Sequence, residues 1–216
     1  MKKIKALVCG FEPFDQGHIN PSWLAVNALP DELEVLEIKK IQLPVVFSKA
    51  FYDLEKTIET WWPDLVLCTG LAKDRPQITI ERVAINLCDA RIPDNQGFQP
   101  SDQPVIAGAP DAYFSNLPVK DIAMKISESG IKASISNTAG TFVCNYVMYK
   151  LMHWIVTKKS PILGGFIHVP ALPEMLEHSS SFSGMSLDLI VMSLKQALLA
   201  CLPSLEKRTC SDSLQL

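Results

Sequence analysis

Ala133-Ser134-Ile135-Ser136-Asn137-Thr138-Ala139-Gly140-Thr141-Phe142-Val143-Cys144-Asn145-Tyr146 is the stretch whose reading decides the fold. It starts as a short strand, Ala133 to Ser136, and crosses a small-residue loop with one glycine. It then opens into an amphipathic run that continues to Lys158. Val143, Val147 and Leu151 stand four apart, with Met148, Met152 and Ile155 alongside, which predicts a helix with an apolar stripe over Phe142 to Lys158. A second apolar strand comes next, at Ile162 to His168. Thr141 is a natural N-cap for the helix, because its hydroxyl can accept an N–H that the first turn leaves unpaired. Cys144 then falls in the first turn, where free N–H groups and the helix dipole favour an anion. A thiol there is expected to ionise more readily than a free one, and the thiolate is the nucleophilic form. Packing as a small buried hydrophobe is the competing reading of the same cysteine.

The alternation extends outward on both sides. Ile4 to Cys9 reads as an apolar strand that runs into the loop Gly10-Phe11-Glu12-Pro13-Phe14-Asp15. A short helix starts after Asn20, with Pro21 at its first position, where a missing N–H costs nothing. Leu33 to Leu43 reads as extended and ends at Pro44. Val46, Ala50, Phe51, Leu54, Ile58 and Trp61 recur at helical spacing over Val46 to Trp62, and Pro63 terminates the run. Asp64 to Thr69 and Ile78 to Leu87 read as strands. Between Asp89 and Asp111 lies a loop rich in Pro, Asp, Asn and Gln, of a length that is uncommon unless functional. Lys120 to Ser129 reads as a helix stopped by Gly130, and Ser186 to Leu202 as a closing helix. Residues 1–203 are expected to form a single domain, with 204–216 as a frayed tail lacking periodicity. Strands alternating with helices predict an α/β fold whose largely parallel sheet is covered on both faces. Ligands of such sheets collect beyond the carboxyl ends of the strands.

Composition agrees with a globular chain. Its 216 residues are 48% hydrophobic and 20% charged, with 20 basic and 23 acidic side chains and a net charge of −3. Apart from Met1-Lys2-Lys3 and Lys158-Lys159 there is no basic cluster, so neither nucleic acid nor a membrane surface is expected as a partner. Ala6-Leu7-Val8-Cys9 is too short for the apolar core of a signal peptide. No apolar run is expected to reach membrane-spanning length, and a cytoplasmic location is the default. The six cysteines (Cys9, Cys68, Cys88, Cys144, Cys201 and Cys210) show no Cys-x-x-Cys spacing and no zinc-type histidine partner, so they are expected to be reduced. Cys9 and Cys68 end apolar runs and read as core thiols.

A cysteine nucleophile needs a base, and the chain has four histidines. His153 lies nine residues along the same helix as Cys144, about 13 Å away at 1.5 Å per residue. His178 sits in a polar stretch, Glu177-His178-Ser179-Ser180-Ser181, and His18 in a turn-like one. His168 ends an apolar strand on the same rim as Cys144 and is the candidate base and later acid. A carboxylate or amide should orient its ring. In Ile78 to Leu87 an unbroken strand would put Glu81 on the face of Val83, Ile85 and Leu87, where a carboxylate is costly unless paired. Pairing with Arg82 or Arg91 is the structural alternative for Glu81. Asp94, in Pro93-Asp94-Asn95-Gln96-Gly97, reads as a turn residue.

Taken together, Gly10-Phe11-Glu12-Pro13-Phe14, Asn20-Pro21-Ser22, Glu81-Arg82-Val83-Ala84-Ile85-Asn86, Asp89-Ala90-Arg91-Ile92-Pro93-Asp94-Asn95, Asn137 to Asn145 and Phe166-Ile167-His168-Val169-Pro170 resemble the pyroglutamyl peptidase I family of cysteine peptidases. The resemblance runs from about Ile4 to Leu199, in the family's order and spacing. It implies a three-layer α/β/α sandwich of the phosphorylase/hydrolase-like type, a cytosolic location and a homotetramer. It also implies that the family's Glu–Cys–His set falls on Glu81, Cys144 and His168. The implied activity is removal of an N-terminal pyroglutamyl residue from peptides through a thioester, with no metal or organic cofactor. Oxyanion donors would include the backbone N–H of Cys144, with Arg91 in support. The lactam would lie among Phe11, Phe14, Phe142 and Val143, with Asn20 shaping the pocket and backbone groups at Leu71 meeting the ring's polar edge. One departure stands out: relatives usually carry two glycines before the residue matching Arg75, where this chain has Lys73-Asp74. Glycine takes positive φ freely and lysine reluctantly, so this loop is expected to differ in shape. Two alternatives stay open at this stage, a cysteine hydrolase of another small acyl or amide group and a catalytically silent pyroglutamyl-binding protein.

Overall fold

The computed structural model describes residues 3–176 and 183–212, with side chains to residue 207. In chain order the elements are β1 (Ile4–Phe11), α1 (Pro21–Asn27), β2 (Glu32–Leu33), β3 (Leu36–Leu43), α2 (Phe47–Trp61), β4 (Leu65–Leu71), β5 (Ile78–Glu81), β6 (Val83–Ile85) and β7 (Ala112–Phe114), followed by α3 (Val119–Glu128), β8 (Ala133–Ser136), α4 (Val143–Thr157), β9 (Leu163–Val169) and α5 (Leu187–Asp212). Seven strands form one sheet in the order β2-β3-β1-β4-β9-β5-β8. The pairs β1–β3, β1–β4, β4–β9 and β5–β8 are parallel, whereas β2–β3 and β5–β9 are antiparallel.

Alternation along each central strand splits the core into two layers. Ala6, Val8, Leu65, Leu67, Leu163 and Ile167 pack on one face with Val26 of α1, Ile122 and Ile126 of α3, and Ile190 and Leu194 of α5. Leu7, Cys9, Phe11, Val66, Cys68 and Phe166 pack on the other with Leu54 and Ile58 of α2 and Val147 and Leu151 of α4. Leu54 and Ile58 are fully buried, each contributing about 1.5–3 kcal/mol by leaving water. Helices on both faces of a mixed, mostly parallel sheet make the expected α/β/α sandwich.

Three expectations are corrected. The run Ile78 to Leu87 is not one strand. It breaks at Arg82, and Val83–Ile85 leaves the main sheet to pair with Ala112–Phe114 in a separate two-stranded ribbon. The closing helix does not end at Leu202: α5 passes through Pro203 to Asp212, and Leu205 is buried against the core. Its stretch Leu187–Lys207 is also long and apolar enough to span a membrane by composition, with a mean hydropathy of 1.4, against the expectation that no run would be. That apolarity has a use within the fold, because Ile190, Leu194, Ala197, Leu198 and Cys201 are buried under the sheet.

Polar side chains hold the loops that the sheet projects. The Asn20 side chain caps α1 by accepting from Ser22 N at 3.1 Å and donates to Glu12 O at 3.0 Å. Ser22 Oγ accepts from Phe11 N at 3.0 Å. Glu12 Oε1 accepts from Val45 N at 3.0 Å and from Asn95 Nδ2 at 2.8 Å. Asp94 is the expected turn residue and also serves α2, accepting from Gln96 N, Phe98 N and, across the chain, Phe47 N. The long loop is thereby fastened to the site side of the molecule.

Gly10 lets α1 lie directly on β1. A Cβ at this position would come within 2.7 Å of Ser22 C and O and Trp23 Cα, which are backbone atoms that cannot turn aside. Gly10→Ala is expected to lower stability by about 1–3 kcal/mol, read as a drop in the urea midpoint at unchanged slope. An unaltered midpoint would mean that the close approach is not a constraint.

Candidate active site

Four neighbouring strands, β1, β4, β9 and β5, deliver the site residues to the face covered by α2 and α4. Phe11 comes from β1, Gly70 from β4, His168 from β9, and Thr79 and Glu81 from β5. Gly70 is the register partner of His168, and His168 that of Thr79. The start of α4 sits over this row. A Cβ on Gly70 would lie 2.8 Å from Cys144 Sγ and 2.9 Å from Phe166 Cζ, so the missing side chain makes room for the thiol beside the His168 strand. The Phe166 ring lies 4.8 Å from the His168 ring, centroid to centroid.

His168 Nδ1 is 2.7 Å from Glu81 Oε1. Glu81 has no exposed surface. A carboxylate can only accept, so Nδ1 carries the proton of this contact. Arg75 completes the row. Its Nη1 donates to Glu81 Oε1 at 2.5 Å and to Thr79 Oγ1 at 2.7 Å, and its Nη2 donates to Thr138 O at 2.9 Å. Burial alone would raise the Glu81 pKa. The His168 hydrogen bond and charge and the Arg75 guanidinium outweigh it and hold the carboxyl below its ordinary value. Ser136 spends its proton on Thr138 O at 3.0 Å, which leaves Glu81 Oε2 buried without a hydrogen bond.

Cys144 is the second residue of α4, and no side chain caps that helix. Thr141, the expected cap, instead donates its hydroxyl to Asp89 O at 2.7 Å, and Phe142 takes the cap position in an extended conformation. The first turn is thus left open toward the thiol. The expected acidification is overturned: burial pushes the Cys144 thiol up to about 12, and the negative charge of Glu81 adds to this against the pull of Arg75 and the backbone. The thiol is therefore protonated at rest, and its nucleophilic form arises only by loss of that proton.

Phe11, Phe14, Asn20, Leu71, Phe142 and Val143 line one small pocket with Val45 and Cys144. All six residues expected around the lactam are therefore brought together. Phe14 and Phe142 face each other at 6.1 Å, and Phe47 braces Phe142 edge-on at 5.4 Å. A larger cavity of about 920 Å³, between the start of α2, the long loop and Tyr146, holds none of Cys144, His168 and Glu81. The small pocket is the one that Cys144 lines.

The remaining expectations fall as follows. His153 is bonded to Tyr113 Oη at 2.9 Å, His18 is exposed, and His178 lies outside the described residues. Arg82 donates to Asn137 Oδ1 at 3.0 Å rather than to Glu81. Arg91 is exposed in the long loop, and the guanidinium acting on both Glu81 and Cys144 is that of Arg75. Sequence reasoning misses the role of Arg75, although its position in the loop after β4, on the rim, is the available signal. Asn145, quoted only as part of the motif, is fully buried and holds the end of β6, accepting from Ile85 N and donating to Ile85 O and Leu87 O. Lys73 and Asp74 do not adopt positive φ; they form an ordinary turn closed by Arg75 N to Ala72 O at 3.1 Å.

Comparison with known proteins agrees with this geometry. The model of the family described as pyroglutamyl peptidase matches residues 4–203. The pyrrolidone-carboxylate peptidase of Enterococcus faecalis is 48% identical over 191 residues, covering 88% of this chain and 90% of that protein. The one from Thermococcus onnurineus is 50% identical over 171 residues, covering 79% and 86%. Pyroglutamyl peptidase I from Bacillus amyloliquefaciens superposes with a TM-score of 0.89 at 45% identity, over 92% of this chain and 95% of that one. Pyrrolidone carboxyl peptidase from Thermococcus litoralis superposes with a TM-score of 0.90 at 36% identity, over 94% and 96%. A thiol, an imidazole and a carboxylate in a row beside an aromatic pocket thus occur in a chain that belongs to the pyroglutamyl peptidase family.

Proposed function

We propose that this chain is a cysteine exopeptidase that removes an N-terminal pyroglutamyl residue from peptides. The observation that carries the reading is the His168 Nδ1–Glu81 Oε1 contact of 2.7 Å beside a first-turn thiol, in a chain of this family. Cys144 Sγ attacks the pyroglutamyl carbonyl as His168 Nε2 takes its proton. The oxyanion is met by N–H groups of the open first turn of α4, including that of Cys144. Arg91 is assigned only a supporting part. His168 then protonates the leaving amine, and a thioester remains on Cys144. Water, deprotonated by His168, attacks the thioester and releases pyroglutamate. Glu81 fixes the imidazole tautomer and steadies its positive charge while His168 holds the second proton.

Pyroglutamate is a small, uncharged lactam, so its pocket needs apolar walls and a few polar partners. Phe11, Phe14, Phe142 and Val143 supply the walls in this reading. The lactam N–H and C=O would each cost about 1–3 kcal/mol if left unpaired, and backbone groups at Leu71 are assigned to them, with Asn20 holding the loop that carries Phe14. A homotetramer is part of the proposal. It is supported by large apolar side chains that face outward, among them Met124 of α3, Leu189 and Met192 of α5, and Phe114 of the ribbon. A cytoplasmic location fits the free thiols at Cys9, Cys68, Cys88, Cys144 and Cys201.

The direct test is release of a fluorescent amine from its pyroglutamyl amide under reducing conditions, with the prolyl amide as control. Wild type is expected to turn over the pyroglutamyl compound alone, and Cys144→Ser to lose at least about 10³-fold in kcat. Equal turnover by the serine variant would remove the cysteine mechanism. Turnover of other amides in place of the lactam would favour a hydrolase of another small acyl group.

Glu81→Gln is expected to lower kcat by about 10²–10⁴-fold with little change in KM, because the pocket is left intact. Its stability effect carries a sign. A lowered folded pKa stabilises above the unfolded value and loses that contribution as pH falls through the folded value. The stability gap between wild type and Glu81→Gln should therefore narrow as pH drops below about 4, followed by chemical denaturation. A gap constant over that range would mean that the carboxylate is not held by its partners.

Iodoacetamide inactivation tests the resting thiol. With the Cys144 pKa pushed up, the rate should climb about tenfold per pH unit between about pH 6 and 8 without a plateau. A plateau in that interval would indicate a preformed thiolate–imidazolium pair.

A further inference from the structure

The turn after β4 is fastened at both ends and charged in the middle. Ala72 N donates to Val169 O at 2.9 Å, which carries the chain across the end of β9 one residue past His168. Arg75 closes the turn and then reaches Thr79 and Glu81 on β5 and the carbonyl of Thr138. Between these ties stand Lys73 and Asp74. Both are exposed, and among the described residues neither forms a hydrogen bond or an ion pair with the other or with a neighbour. Fixed backbone with free charge is an arrangement suited to meeting something from outside.

The layout of the site says what passes there. The aromatic pocket lies on the β1 side of Cys144, and the imidazole lies on the β9–β5 side. A leaving nitrogen must come within hydrogen-bond reach of His168 to be protonated. The peptide attached to it therefore departs across the β9–β5 side, over the Ala72–Arg75 turn. We propose that Lys73 and Asp74 read the charge of the residues that follow the pyroglutamyl group, Lys73 favouring acidic residues and Asp74 basic ones. This rests on the pyroglutamyl reading and deepens it. Because both side chains are exposed, each effect is a few-fold and sensitive to salt.

The test uses pyroglutamyl tripeptide amides with Glu, Lys or Ala as the second residue. kcat/KM is measured for wild type, Lys73→Gly and Asp74→Gly, each normalised to the same protein's Ala peptide. Lys73→Gly should lower the Glu-to-Lys preference about three- to fivefold, and Asp74→Gly should raise it by a similar factor. Both shifts should fade at about 1 M salt, where the screening length is about 3 Å. Should a glycine variant not fold, Lys73→Glu and Asp74→Lys carry the same test with larger shifts of the same sign. Unchanged preferences, or shifts in the same direction for both positions, overturn the charge reading while the activity stands. No cleavage of any pyroglutamyl peptide by folded, reduced wild type overturns the activity and this inference with it.

Discussion

A carboxylate with no exposed surface is the constraint around which the site is arranged. Glu81 is an ion removed from water, and it persists only because partners replace the hydration it has lost. Arg75 and His168 both converge on its Oε1. Each partner has a second duty. Arg75 pins the rim turn to the loop that leads to α4, and His168 sits on the strand next to Gly70, against which the thiol packs. Neutralising the carboxylate would thus alter both the imidazole's partner and the charge felt by Cys144, while Arg75 keeps its bonds to Thr79 and Thr138. The raised Cys144 pKa draws on the same source, since a buried negative charge nearby disfavours a second one. A thiol that stays neutral at rest is protected from adventitious oxidation and alkylation, because the thiolate is the reactive form.

The aromatic pocket depends on a second polar system that contains none of Cys144, His168 and Glu81. Glu12, Asn20, Ser22 and Asn95 tie the loop after β1 to the start of α1, to Val45 and to the long loop. Phe11 and Phe14 are held through backbone they share with this network, so the pocket walls need not rely on their own packing for position. A site formed by loops gains accuracy when the loops are hydrogen-bonded to each other rather than only to the sheet edge. It also accounts for why so many of the quoted motif residues are polar while the pocket they surround is apolar.

Much of this is legible in the sequence because periodicity reports burial. The β8–loop–α4–β9 unit, the two core thiols Cys9 and Cys68, and the placement of His168 on a rim with Cys144 all derive from which residues face inward. Glu81 is picked out by a carboxylate standing in an apolar run, and the fold sets it beside His168 although its strand is shorter than the alternation suggests. Alternation in Ile78 to Leu87 continues across the break at Arg82, since β6 has the same pattern and merely pairs elsewhere; pairing partners are not written in one strand. Thr141 is a sound cap by residue type, but the helix starts one residue later than expected, with Phe142 at the cap position, and the Thr141 hydroxyl donates to Asp89 O, fifty-two residues earlier. The acidity expected of Cys144 fails because a helix terminus is a local signal, whereas burial and the charge of Glu81 come from the assembled fold. Arg75 escapes notice for a similar reason, as its partners lie on β5 and at Thr138, and Pro203 gives a stop signal that the burial of Leu205 overrides.

The antiparallel pairing of β5 with β9 explains the depth of each group. Along a parallel sheet the carboxyl ends of neighbouring strands meet at one rim. Here β5 runs against β9, so His168, near the end of β9, lies beside Thr79, while Glu81, at the end of β5, lies beside Phe166, two residues farther in. The carboxylate is thereby set beneath the imidazole instead of next to it at the surface. Were β5 parallel to β9, its last residue would sit at the rim in contact with water, where its hold on the imidazole would be weakened by solvent. Reversing one strand pair therefore produces a gradient across about two residues of sheet. The buried anion lies deepest, the imidazole sits above it, and the thiol lies at the start of α4. Among the described residues, Arg75 is the one cationic side chain that bonds the buried Glu81 from the rim turn, which is why a solvent-facing turn and a fully buried carboxylate share one hydrogen-bond network.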